Sequence, residues 1–130
     1  MTELGFQLYC ARNFPPLPDV LKKVAEAGYK QVEGYGGIYA ALDEAGLQML
    51  RAELDANGLS MPTGHFGLDL LEREPEQTLR IAKTLGIEGI YCPHLAADLR
   101  PSDAQGWFAF GQRLAAVSYT HLRAHETRGN

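Results

Sequence analysis

The sequence predicts an α/β fold made of parallel strand–helix units, and two observations carry that expectation. Amphipathic helical stretches alternate with short apolar runs four times between residues 4 and 116. Strands that alternate with helices of this length form βαβ units, with the helices covering a parallel sheet. In addition, the first three units turn at a glycine that follows the helical stretch, Gly28, Gly58 and Gly86, spaced 30 and 28 residues apart. Glycine is the usual left-handed residue just past a helix end, because it lacks the Cβ that penalises that conformation.

The elements follow in order. The strands read as LGFQLYC (4–10), KQVEGYG (30–36), LSMPTGHF (59–66) and IEGIYCPH (87–94). The first helix, in PLPDVLKKVAEAG, places Leu17, Val20, Leu21, Val24 and Ala25 on one stripe. The second, near 43–57, aligns Leu47, Leu50 and Leu54. The third begins around Pro75, a residue suited to a first helical turn, and its narrower stripe is Leu79, Ala82 and Leu85. The fourth opens on Ser102-Asp103-Ala104-Gln105, a capping-box pattern, with Trp107, Phe110 and Leu114 on its inner side.

Two architectures fit four such units: a small doubly wound sheet, or the first four units of an eightfold TIM barrel, which needs about 250 residues. No GxGxxG or GxxxxGK[ST] follows a strand, so the phosphate-cradling turn of many nucleotide-binding doubly wound domains is missing. The glycine-rich GYGG at 34–37 has no following lysine and is a weak phosphate signal.

At 130 residues, 45% hydrophobic and 22% charged, the chain has the composition of one soluble globular domain. No secretory leader and no apolar run of membrane-spanning length is visible, so a cytoplasmic location with no membrane partner is expected. Cys10 and Cys92 have no paired spacing and are read as reduced packing residues. There are 12 basic against 16 acidic residues, and without residues 118–130 the balance is 10 against 15. This argues against nucleic-acid binding, which relies on clustered Lys and Arg.

In parallel α/β folds, chemistry collects at the C-terminal ends of the strands. Those ends carry Gln7, Tyr9 and Cys10; Glu33 and Tyr35; His65; and Cys92 and His94. Acid, imidazole and amide groups on one rim suit a polyhydroxylated ligand. Each residue also has a plain structural reading: Glu33 as half of an ion pair, His65 bonded to a backbone carbonyl, and His94 as a packing residue behind Pro93. Neither cysteine has a neighbouring base in sequence, so neither reads as a nucleophile.

The run LGFQLYCARNFPPLPDVLKKVAEAGYKQVEGYGG resembles the opening of the sugar phosphate isomerase/epimerase family, the xylose isomerase-like TIM barrels. Ala27-Gly28-Tyr29 followed by Val32-Glu33 carries the likeness. LDANGLSMPTGHFGLD and IAKTLGIEGIYCPHL resemble the third and fourth strand regions of the same group, so the likeness spans about residues 3–116. It implies a metal-dependent isomerase or epimerase acting on a carbohydrate or keto-acid. The divalent ion (Mn, Mg, Zn or Co) would be held by residues of strands five to eight. On this reading Glu33, His65, Gln7 and His94 contact substrate, residues 1–117 form the N-terminal half of the barrel, and this half is inactive alone. Its open strand edges invite self-association.

The ending SYTHLRAHETRGN breaks the pattern where a fifth strand is due. It resembles the translation of a transposase sequencing adapter and is set apart as residues 118–130. The competing reading is a metal pair, His121 and His125 at i, i+4, but two ligands without a third make a poor site. Two other functions stand as alternatives. One is an apurinic endonuclease-like enzyme of the same fold, which needs more early histidines than His65 and His94. The other is a non-catalytic α/β module that binds a metabolite or a partner.

Overall fold

A computed structural model of the chain describes residues 2–117. The expectations placed on His121, His125 and the tail lie outside the described residues. Four strands, β1 (Gly5–Gln7), β2 (Gln31–Gly34), β3 (Ser60–His65) and β4 (Gly89–Tyr91), form one parallel sheet in the order β1-β2-β3-β4. This order decides between the two architectures. A doubly wound sheet reverses its strand order at a switch point, whereas successive units that always add to the same side are the barrel arrangement.

The helices are α1 (Leu17–Glu26), α2 (Gly36–Ala40), α3 (Glu44–Ala56), α4 (Leu68–Arg73), α5 (Pro75–Leu85) and α6 (Ala104–Val117). The described residues divide into two compact units. One comprises the residues up to Phe66 with Ile81–Tyr91, and the other Gly67–Arg80 with the residues from Cys92 on. Helix α5 contributes to both.

The first unit holds the sheet. Along β2, Val32 and Gly34 are buried while Gln31 and Glu33 are partly exposed, the two-residue alternation of a strand with one face on a core. Val20, Leu21 and Val24 of α1 and Leu47, Leu50 and Leu54 of α3 are buried, as the periodicity predicts. Asp43 caps α3, its Oδ1 accepting from the Gly46 amide at 2.7 Å.

Strand β3 is irregular. Gln31 pairs with Ser60 but Glu33 pairs with Thr63, so the single residue Val32 on β2 faces two, Met61 and Pro62, on β3. The extra residue is a β-bulge, and it falls beside Pro62, which lacks the N–H a regular ladder would need there.

Gly28, Gly58 and Gly86 all have positive φ, with Gly58 at +65°. A Cβ on Gly58 would meet nothing within 4 Å, so an alanine there isolates the backbone cost. Gly58→Ala is expected to destabilise the protein by about 1–2 kcal/mol in denaturant unfolding, and Gly58→Asn by less.

Three sequence expectations are corrected. The strands are shorter than predicted: β1 stops at Gln7, and Leu8–Ala11 form a 3-10 turn, because the Gln7 side chain accepts from the Tyr9 amide and draws the chain out of the sheet. On α5 the buried face is Thr78, Ile81, Ala82 and Leu85, with Leu79 only partly buried. Thr78 is tolerated inside because its hydroxyl donates within reach of Leu70 O and Glu74 O, at 3.3 and 3.2 Å. At α6 the capping residue is Asp103, whose Oδ1 accepts from Gly106 N at 2.7 Å. Trp107 remains about half exposed, with Phe110 and Leu114 partly buried. In the second unit Arg113 pairs with Glu72 through two parallel contacts, one of them 2.7 Å.

The outer edges of β1 and β4 have no strand partner among the described residues. Pairing of these edges between copies predicts a concentration-dependent shift in size-exclusion elution; a monomer at every concentration contradicts it. No helix among the described residues is long and apolar enough to cross a membrane.

Candidate functional site

Parallel pairing brings the exits of β1, β2 and β3 into one row. Gln7 lies opposite Glu33, and Glu33 opposite Thr63; His65 follows two residues after Thr63. The β3 bulge matters here. In a regular ladder Pro62 would stand beside Glu33 with no donor to offer, and the inserted residue instead delivers a threonine hydroxyl.

Glu33 is the centre of the cluster. Its Oε1 accepts from Gln7 Nε2 at 2.6 Å and lies 3.0 Å from His65 Nε2, and its Oε2 accepts from Thr63 Oγ1 at 2.6 Å. Gln7 Nε2 also lies 3.4 Å from His65 Nδ1. The side chains of Glu33 and His65 keep 24% and 30% of their exposure, so a ligand can reach both. Of the four acceptor positions on a carboxylate, Gln7 and Thr63 fill one on each oxygen and His65 Nε2 lies beside Oε1, leaving one on Oε2 open. Thr63 spends its hydrogen on Glu33 and retains lone pairs. The cluster therefore presents two neighbouring acceptors to a ligand.

Tyr9 and Tyr35, which follow Gln7 and Glu33, meet edge to face with centroids 5.2 Å apart. The Arg12 guanidinium sits 4.0 Å over the Tyr9 ring, a cation–π contact.

On the buried side of the sheet, Tyr39 stacks on Phe66 at 4.6 Å. Its hydroxyl is buried with no hydrogen-bond partner. Burial first, and the negative charge of Glu33 second, push its phenol well above the ordinary tyrosine range, so it stays protonated. An orphaned buried hydroxyl costs about 1–3 kcal/mol. Tyr39→Phe is accordingly expected to leave stability unchanged or to raise it by about 1 kcal/mol, as thermal unfolding would show.

Of the residues expected to contact substrate, the structure brings Gln7, Glu33 and His65 together. His94 belongs to the second unit, where its Nε2 lies 3.1 Å from Arg100 Nη2. Cys10 and Cys92 are both free, and burial pushes the Cys92 thiol up, away from thiolate character. Sequence pattern alone does not single out Thr63 or Tyr39. Pro62 inside a strand pattern signals the bulge that aims Thr63. Gly34 and Gly64 inside strand patterns signal the close approach that admits Tyr39.

Among the described residues no three His, Cys, Asp or Glu side chains converge to hold a metal ion. Glu33 with His65 supplies two, so the divalent ion implied by the family resemblance does not fit this cluster. A cavity of about 600 Å³ lies in the second unit, lined by Arg73, Glu74, Pro75, Glu76, Gln77 and Arg80. None of these residues is at a strand end.

No family model and no curated protein sequence matches the chain. Solved structures do. A sugar phosphate isomerase/epimerase from Parabacteroides distasonis aligns with a TM-score of 0.58 at 18% identity, covering 80% of this chain and 42% of its own. D-psicose 3-epimerase, solved in the presence of D-fructose, gives 0.59 at 21% identity, covering 83% and 44%. The probable 3-DHS dehydratase involved in petrobactin synthesis from Bacillus anthracis gives 0.68 at 14% identity, covering 94% and 49%. The chain thus spans less than half the length of each of these structures. At these identities the likeness is one of fold: four consecutive parallel βα units of the TIM-barrel type found in sugar isomerases, epimerases and a dehydratase.

Proposed function

We propose that this chain forms the substrate-holding part of a sugar or sugar-acid isomerase or epimerase. One observation carries the reading: the Glu33 carboxylate, fixed by Gln7 and Thr63 and flanked by His65 at a partly exposed rim. The open Oε2 position and the Thr63 lone pairs accept from two adjacent hydroxyls, the pattern that a carbohydrate presents and an apolar metabolite does not. The family resemblance of the sequence and the structural likeness to a sugar phosphate isomerase/epimerase and D-psicose 3-epimerase support the same substrate class. A divalent ion would supply Lewis-acid chemistry in such a reaction. The chain's own contribution is to hold and orient hydroxyls, since its described residues offer no three-ligand set.

Calorimetric titration with D-fructose, beside a cyclic ether of the same ring size without hydroxyls, tests the reading. Saturable binding of the ketose alone, in the range of about 1 mM, is the expected result. Equal behaviour of the two compounds overturns it. With divalent metal added, the chain alone is expected not to interconvert D-fructose and D-psicose. Turnover would place the chemistry within these residues.

A further inference from the structure

The geometry points to Tyr91 as a further ligand-contacting residue: its ring is the platform on which the carbon-bound hydrogens of a sugar rest while the sugar's hydroxyls meet Glu33 and Thr63. The inference rests on the reading of the strand exits as a ligand site, and it adds the apolar half of that site.

The strand register sets out a row of positions across the sheet: Gln7 opposite Glu33, Glu33 opposite Thr63, and Thr63 opposite Gly89. Gln7, Glu33 and Thr63 carry the bonded side chains, and Gly89 carries none. The acceptors left to a ligand belong to the β3 side of Glu33, because its Oε1 is bonded to Gln7 on β1 whereas its Oε2 is bonded to Thr63 on β3. The space over Gly89 is taken by a ring from later in the same strand. A Cβ on Gly89 would stand 3.5 Å from Tyr91 Cε2, 3.8 Å from Tyr91 Oη and 3.4 Å from Thr63 Cγ2. The Tyr91 ring therefore leans back over the glycine, on the face of the sheet that carries Thr63. Thr63 divides the site, with its hydroxyl toward Glu33 and its methyl toward the glycine that the ring covers.

Tyr91 keeps 55% of its exposure, yet its backbone is held: it pairs with His65, and its carbonyl accepts from the Phe66 amide at 2.9 Å. An exposed ring on a fixed strand is aromatic surface ready to be covered, and aromatic surface beside a few placed polar groups is the usual make-up of a small-molecule site. A sugar has both surfaces, hydroxyls on its rim and carbon-bound hydrogens on its faces. Acceptors and ring together thus select a sugar long enough to span both over a short keto-acid.

Saturation transfer from aromatic protons to the carbon-bound protons of D-fructose, measured beside calorimetric titration, tests this on the full chain. Tyr91→Phe keeps the ring and is expected to keep the transfer, with affinity within about twofold of the wild type, whereas Tyr91→Leu should lose most of the transfer and bind about tenfold more weakly. Tyr91→Ala takes the place of the leucine variant if thermal unfolding shows that one not to fold. A folded Tyr91→Leu that binds and receives saturation like the wild type overturns the inference. So does a Tyr91→Phe as weak as the leucine variant. A wild type that binds D-fructose, is weakened by Glu33→Gln and is indifferent to Tyr91→Leu sinks this inference alone; a wild type that does not bind the sugar sinks both it and the reading it rests on.

Discussion

Alanine at position 64 is expected to destabilise the protein by about 1–3 kcal/mol, the usual cost of forcing extra volume into a packed core. A Cβ on Gly64 would lie 2.5 Å from the Tyr39 hydroxyl oxygen and 3.1 Å from both Ile87 Cδ1 and Phe66 Cε2. Gly34 meets the same hydroxyl, with Met61 Sδ at 3.0 Å. The two glycines are neighbours across β2 and β3, and together they make the slot that the phenol fills. Tyr39 cannot withdraw, because it is 3% exposed and stacked on the fully buried Phe66. The clash is chiefly with one oxygen, so the loss should be partly recovered when Gly64→Ala is combined with Tyr39→Phe. Denaturant midpoints of the two single variants and the double variant measure that coupling. Strict additivity would mean that the phenol is not what the added methyl meets.

The second large effect is on binding. Glu33→Gln should lower affinity for D-fructose about tenfold or more, the worth of a hydrogen bond to a charged group, while stability changes by only about 1 kcal/mol. The reason lies in the donor count. A glutamine at 33 can keep its oxygen toward Gln7 and His65 and turn its nitrogen toward Thr63, whose hydroxyl rotates to accept. The cluster then stays bonded, but the acceptor that faced the ligand has become a donor. Calorimetric titration beside thermal unfolding separates the two quantities. Unchanged affinity in a folded variant would remove Glu33 from the site.

Much of this arrangement is written in short-range pattern. The leucine stripe of α3 and the valine and leucine stripe of α1 have helical spacing, and both helices pack as that spacing requires. Gly28, Gly58 and Gly86 lie where the turns need positive φ. The convergence of Gln7, Glu33 and His65 also follows from pattern, since each stands at the exit of a strand and parallel strands align their exits. What pattern did not reveal depends on contacts between distant residues. Helix α2 follows the glycines of GYGG, which are poor helix formers, and it is anchored by burial of Ile38 and Tyr39. Helix α4 is six residues long, too short for a periodicity to show. On α5, Leu79 and Ile81 are equally plausible from spacing, and packing chose Ile81. Thr63 depended on a one-residue bulge that moves the whole end of β3 relative to Glu33. The contact of His94 with Arg100, six residues on, has no signature in the strand pattern.

On the proposed function, a ligand's hydroxyls are held by the group of side chains where β1, β2 and β3 leave the sheet. Chemical-shift mapping of the labelled full chain during D-fructose titration tests it most directly. Saturable perturbations centred on Gln7, Glu33, Thr63 and His65 are the predicted result. Perturbations centred instead on the arginines and glutamates of residues 73–80, with the strand exits unmoved, would contradict it.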